Sequence, residues 1–213
     1  MEQYLAALRA ELAAWEGREA GAAGETGAAS GPRAGGARPA GAGQFETIYL
    51  GGGTPTVLPT DNLVALVRDL AARMCGGSAA GATAPPPEFT IEANPGTLDA
   101  PLLERLREAG VTRLSLGVQS FAPALRAALG RRVSQREVVD ALAAIKAAHW
   151  EEWNLDLVFG IPGQTWELAA ADIDAAVAAS PTHISLYDLT YTPSYAARAG
   201  AGARAMAADF AER

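Results

Sequence analysis

An apolar strand that runs straight into three consecutive glycines, Thr47-Ile48-Tyr49-Leu50-Gly51-Gly52-Gly53-Thr54-Pro55-Thr56, constrains this chain more than any other stretch. Ile48, Tyr49 and Leu50 favour a pleated, buried backbone, whereas the glycines permit dihedral angles and a close ligand approach that a Cβ forbids. The strand therefore ends in exposed backbone N–H groups. Pro55 fixes the exit, Pro59 lies in the connection, and Asp61-Asn62 are placed to cap a helix carrying Leu63, Leu66, Val67 and Leu70 at helical spacing. The loop lacks the lysine and spacing of G-x-x-x-x-G-K-S/T and does not match G-x-G-x-x-G, which excludes the common nucleotide loops. On residue types alone it either holds a phosphate, amino or carboxylate group or is a tight turn.

The same strand–loop–helix plan repeats. Strands are expected at Phe89–Pro95, Arg113–Ser120, Asn154–Ile161 and His183–Tyr191, with helices at Ala100–Ala109, up to Gly130, from Ser134 to about His149, and at Trp166–Ala179. Ser134 and Glu137 form a capping box for the third of these helices. Strands joined through helices imply α/β architecture with a parallel sheet and right-handed crossovers.

A central parallel strand covered on both faces reads as continuous apolar sequence. These do not: Thr90, Glu92 and Asn94 share one face, as do Ser115, Gly117 and Gln119, and Asp156 and Gly160. Polar faces recurring from strand to strand suit the inward side of a (β/α) barrel, whose site lies at the C-terminal strand ends. The expected fold is an incomplete (β/α) barrel with polar inward faces rather than a doubly wound sheet.

Three regions are expected. Residues 1–16 carry Tyr4, Leu5, Leu8, Leu12 and Trp15 as a helical stripe; residues 17–43 are Gly, Ala, Pro and Arg rich, without large apolar groups, and read as a disordered insertion; residues 44–213 form the partial barrel. Gly76–Pro87 reads as a second flexible connection, and the stretch from about Ala203 looks helical.

With 24 acidic and 17 basic residues and a formal net charge of −7, the 213-residue chain is unsuited to a nucleic-acid partner bound through phosphates. It shows neither a spanning apolar run nor a secretory signal, so a cytoplasmic protein is expected. Cys75 is its one cysteine, which rules out an intrachain disulfide and a cysteine-ligated metal cluster held by this chain alone; no metal ligands are assigned.

Glu92 lies between Ile91 and Ala93 inside a strand, where a carboxylate needs a cation or hydrogen-bond donors. It either binds a ligand or pairs with a structural arginine. Asp156 carries the same two readings, and Gln119 is either a ligand contact or a loop-satisfying amide. Arg131 and Arg132 follow Leu129-Gly130 at a helix end that favours positive charge in any case. His149 and His183 have no neighbouring nucleophile or carboxylate to form a triad, and no catalytic residue is assigned. Trp150, Trp153, Tyr187, Tyr191 and Tyr195 read as core or rim.

Taken together, Gly51-Gly52-Gly53-Thr54-Pro55, Glu92-Ala93-Asn94-Pro95, Gly117-Val118-Gln119-Ser120-Phe121, Leu129-Gly130-Arg131 and Asn154-Leu155-Asp156-Leu157-Val158-Phe159-Gly160-Ile161-Pro162-Gly163-Gln164-Thr165 resemble the oxygen-independent coproporphyrinogen III oxidase-like family of radical S-adenosylmethionine proteins. The resemblance runs from about Tyr4 to Tyr195 without the Gly/Ala insertion, and leans toward the haem chaperone branch rather than the oxidase branch.

It implies a radical S-adenosylmethionine barrel in which Gly52, Gly53 and Thr54 meet the methionine end of S-adenosylmethionine, with Glu92, Gln119, Arg131 and Asp156 completing the site. It also implies a 4Fe–4S cluster that donates an electron to S-adenosylmethionine, porphyrin or haem as the small-molecule ligand, and a haem-accepting protein as partner. In the oxidase branch the resulting radical starts decarboxylation of porphyrinogen propionates.

The departure is as informative. The family's C-x-x-x-C-x-x-C loop follows a first strand that this chain lacks, the family continues beyond Arg213, and Val133 stands where the chaperone branch usually has histidine. The chain is therefore expected to be a piece of a radical S-adenosylmethionine enzyme or haem chaperone, without cluster ligands. The alternative is a non-catalytic relic that binds S-adenosylmethionine, haem or a protein.

Overall fold

The computed structural model describes residues 2–22, 47–74 and 88–190. The expectations for Cys75, the Gly76–Pro87 connection, most of the insertion, Tyr191, Tyr195 and the helical stretch from Ala203 lie outside the described residues. Among the described residues, five strands, β1 (Thr47–Leu50), β2 (Glu88–Ala93), β3 (Arg113–Gln119), β4 (Glu152–Phe159) and β5 (His183–Asp188), alternate with six α-helices: α1 (Glu2–Ala22), α2 (Thr60–Met74), α3 (Ala100–Ala109), α4 (Pro123–Ala128), α5 (Gln135–Ala147) and α6 (Trp166–Ala179). Helix α1 runs past its expected end at residue 16 into the start of the Gly/Ala-rich region.

The sheet order β1-β2-β3-β4-β5 follows the chain, and all four pairings are parallel. An unreversed order keeps successive crossovers on one side, and α2 packs on α3 and α3 on α5. The sheet curls into a half-barrel, as the polar inward faces led us to expect.

Alternation then divides each strand. Ile91, Leu114, Leu116, Leu155 and Leu157 point outward into a core shared with Leu63, Val67, Leu103, Leu106, Val138 and Ile145 of the helices. Thr90, Glu92, Ser115, Gly117, Asn154, Asp156 and Ser185 fall on the opposite, inner face.

Local signals fix most boundaries. Asp99 accepts the Leu102 N–H at 2.8 Å, and Gly110 ends α3 at φ 112°. The Ser134/Glu137 capping box forms in both directions, with Glu137 N–H on Ser134 Oγ at 3.2 Å and Ser134 N–H on Glu137 Oε2 at 2.7 Å. Replacing Ser134 with alanine removes an acceptor from the first turn of α5 and is expected to lower the thermal midpoint by about 3 °C; calorimetry of the variant checks this.

One cap differs from expectation. Helix α2 already starts at Thr60, with Leu63 N–H donating to Pro59 O at 3.0 Å, and Asp61 instead reaches across to Arg105 of α3 at 2.7 Å. A carboxylate in the first turn satisfies the helix dipole as well as a cap does, so the two uses are hard to separate by spacing alone.

Candidate functional site

At the C-terminal ends of the strands lies a cavity of about 410 Å³, lined by Gly53, Thr54, Glu92, Gln119, Arg131 and Asp156 among others. That volume is within the ordinary range for small-molecule sites. Of the residues the sequence singles out, Gly52 does not line it; its N–H donates to Glu92 Oε2 at 2.7 Å.

The glycine loop and β2 are built around that carboxylate. Tyr49 Oη donates to Glu92 Oε1 at 2.8 Å, so each Glu92 oxygen receives one donor. A Cβ on Gly51 would stand 2.8 Å from Glu92 Cδ, so a side chain here would push the carboxylate from its place. Thr54 then takes φ 63°, an unusual angle for a β-branched residue, and leads into a short 3-10 turn at Pro55–Val57. Among the described residues Glu92 forms no arginine pair: its partners are a phenol and a backbone amide. Burial, then the hydrogen bond and charge of Glu92, push the Tyr49 phenol far above its ordinary value, so it stays a donor.

Strand β3 delivers Gln119 through an irregularity. The register shifts between Gly117 and Gln119, and Gln119 adopts φ 70°. A Cβ on Gly117 would lie 2.8 Å from Gln119 Nε2 and would move that amide. Left-handed angles at Thr54 and Gln119, two non-glycine residues on one cavity, each cost about 1–3 kcal/mol, a pattern found where a site is held in place.

Arg131 reaches the cavity from the connection between α4 and α5. Among the described residues it is exposed and has no ion-pair partner, so its charge is free to meet a ligand. What holds the connection is Arg126, a residue sequence reasoning passed over. Only 1% exposed, it donates from Nη1 to Ser120 O at 2.7 Å, from Nη2 to Gln135 Oε1 at 2.9 Å and from Nε to Val133 O at 3.2 Å.

Asp156 sits on the inner face of β4 at 9% exposure. Its Oδ2 accepts from Ser115 Oγ at 3.0 Å and its Oδ1 from Asn154 Nδ2 at 2.6 Å. Burial raises its pKa, opposed by the donors Ser115 and Asn154 and reinforced by the nearby charge of Glu92. Two acidic groups, one free guanidinium, an amide and a glycine turn can together receive a zwitterionic ligand bearing hydroxyl groups.

Asn94, Val158 and Tyr187 also line the cavity and were not among the candidates. Tyr187 pairs with Val158 in the parity that faces inward, a signal already in the strand alternation. Away from this cavity, Trp150 and Trp153 are core as expected, and His149 and His183 stand at the end of α5 and the start of β5. No helix among the described residues is long and apolar enough to cross a membrane.

Residues 36–175 match the family model described as the radical SAM superfamily. A protein named heme chaperone HemW from Synechocystis is 40% identical over 149 residues, covering 70% of this chain and 34% of its own length. The protein of the same name from Lactococcus lactis is 36% identical over 146 residues, covering 68% and 37%. Among solved structures, coproporphyrinogen III oxidase HemN from Escherichia coli, a radical SAM enzyme, superposes with a TM-score of 0.57 at 26% identity, over 72% of this chain and 34% of that one. The chain thus spans about a third of the length of the curated relatives it matches.

Proposed function

Because this chain belongs to the radical SAM superfamily, we propose that the cavity at its C-terminal strand ends is a site for S-adenosylmethionine. One observation carries the reading: Gly53, Thr54, Glu92, Gln119, Arg131 and Asp156, drawn from separate strand–helix units, converge on the same cavity. Their chemistry fits the molecule. Gly53 and Thr54 form the wall at its methionine end, and Gly52 serves it indirectly, its N–H holding the Glu92 carboxylate. Arg131 receives the carboxylate, Glu92 and Asp156 accept hydrogen bonds from the ammonium and hydroxyl groups, and Gln119 serves either as donor or acceptor.

In this superfamily S-adenosylmethionine supplies a carbon-centred radical when an iron–sulfur cluster delivers an electron to it. The residues present do not fit that cluster: Cys75 is the single cysteine in the sequence, and no group of His, Cys, Asp or Glu among the described residues could hold a metal. Binding and orientation of the nucleoside are therefore the roles assigned to this chain's residues. By likeness to relatives named heme chaperone, the whole protein handles haem or a porphyrin in the cytoplasm, with a haem-accepting protein as its partner.

Arg131 gives the cleanest test. Because it makes no structural ion pair among the described residues, Arg131→Ala is expected to leave the thermal midpoint unchanged and weaken S-adenosylmethionine about tenfold to a hundredfold, the range for a lost charge-assisted hydrogen bond. Thermal scanning of the full chain measures the midpoint, and calorimetric titration with S-adenosylmethionine the affinity. Equal affinity in the variant would remove Arg131 from the site, and no measurable binding by the unaltered chain would sink the reading.

A further inference from the structure

Asp156 is held by residues outside the set that the functional reading uses. Asn154 lies two positions earlier on the same face of β4, flanked by Ser115 of β3 and by Ser185 of β5. Its Nδ2 donates to Asp156 Oδ1 at 2.6 Å and to Ser115 Oγ at 2.8 Å, while its Oδ1 accepts from Ser185 Oγ at 3.0 Å. The Ser115 hydroxyl, accepting from Asn154, donates its own proton to Asp156 Oδ2 at 3.0 Å. An ionised carboxylate can only accept, so the Asn154 amide nitrogen must face it and the orientation of the whole ring follows.

The ring is buried. Asn154 and Ser115 are each 2% exposed, so their polar groups have no solvent to fall back on. Nothing in packing requires it, since the hydrophobic core lies on the other side of the sheet. A closed set of donors spanning three strands and ending on the one buried carboxylate at the cavity serves the direction in which that carboxylate points.

We propose that Asn154 is a positioning residue of the cavity, which with Ser115 and Ser185 locks the Asp156 carboxylate in the orientation that receives a cationic or hydroxyl-bearing ligand group. The locking rests on the hydrogen bonds alone; its consequence for a ligand rests on the reading of the cavity as an S-adenosylmethionine site. The titratable groups that share its surroundings are Tyr49 of β1 and Glu92 of β2, whose charges couple to it, and Arg131 after α4 and Tyr187 of β5, which line the same cavity. Of these, Glu92 opposes ionisation of Asp156 by its charge, and the donor ring works against that opposition.

The test is a carbon-detected NMR titration of the aspartate carboxyls in the full chain, with Asp156 assigned by its loss in Asp156→Asn. Asn154→Leu keeps the branching at Cγ and removes the donors. It is expected to move the Asp156 titration upward, because the donors that favour the charged form are gone, and to weaken S-adenosylmethionine about tenfold, because the carboxylate is no longer held in one orientation. An unmoved Asp156 titration in folded Asn154→Leu overturns the proposal.

If Asn154→Leu does not fold, Ser115→Ala removes one donor from the other carboxylate oxygen and must shift the same signal upward; no shift there is equally fatal. If the titration shifts but S-adenosylmethionine affinity is unaffected in both Asn154→Leu and Asp156→Asn, the positioning stands and the functional reading of the cavity fails.

Discussion

Asp156→Asn is expected to make the protein more stable and, at the same time, to cut its affinity for S-adenosylmethionine about a hundredfold. The two effects have one origin. Burial raises the folded-state pKa of Asp156 above its ordinary value, even against the donors Ser115 and Asn154. The folded state therefore keeps this proton over a pH span in which the unfolded chain has lost it. The associated stability is present below the ordinary carboxylate range and is lost as pH rises through the raised folded value.

At neutral pH the ionised side chain costs stability, and asparagine removes that cost while surrendering the charge that a ligand needs. Thermal melts from pH 4 to 8 with parallel binding measurements check the pair of signs. A variant less stable than the parent at neutral pH, or one that binds equally well, contradicts the account.

Arg126→Met is expected to produce the largest loss of stability, about 3 kcal/mol, or roughly 10 °C in the thermal midpoint. The guanidinium donates to Ser120 O, Val133 O and Gln135 Oε1, and all three acceptors lose a buried donor together. Asp172, 4% exposed, accepts the Phe121 N–H at 2.6 Å through Oδ1, while its Oδ2 has no hydrogen bond among the described residues, and its charge and that of Arg126 support one another.

Arg126 also braces both ends of the connection carrying Arg131, so S-adenosylmethionine affinity should fall in any fraction that remains folded. Arg126→Lys keeps the charge but lacks the planar fork and should lie between the two. A midpoint within a degree of the parent for Arg126→Met would show that the brace contributes nothing.

The barrel was legible in the strands because outward and inward residues obey different chemistry in a period of two. Leu114, Leu116, Leu155 and Leu157 announce the core, and Glu92, Ser115, Gln119 and Asp156 announce the cavity. Asn154 carried the same signal, two residues from Asp156, but beginning a strand it reads as a boundary residue until its neighbours on β3 and β5 are known.

Arg126 gave no such sign. Between Leu125 and Ala127 in a short helix it resembles a solvated cation, and its role arises when the chain returns to place Ser120, Val133 and Gln135 around it. Tyr49 was read for its ring as strand-forming bulk, whereas its hydroxyl finds Glu92, 43 residues away. Pairings of that range leave no local trace, which is also why the Asp61 ion pair to Arg105 was mistaken for a cap.

The alternation of the strands also separates two kinds of variation within the same few letters. Odd and even positions of β2, β3 and β4 answer to different demands, one set to cohesion and the other to whatever enters the cavity. A lineage can thus rewrite the inner residues strand by strand while the leucine face stays constant, and each βα unit exposes its own short text for revision. Chemistry and foldability are interleaved along these segments, and changing one need not erase the other.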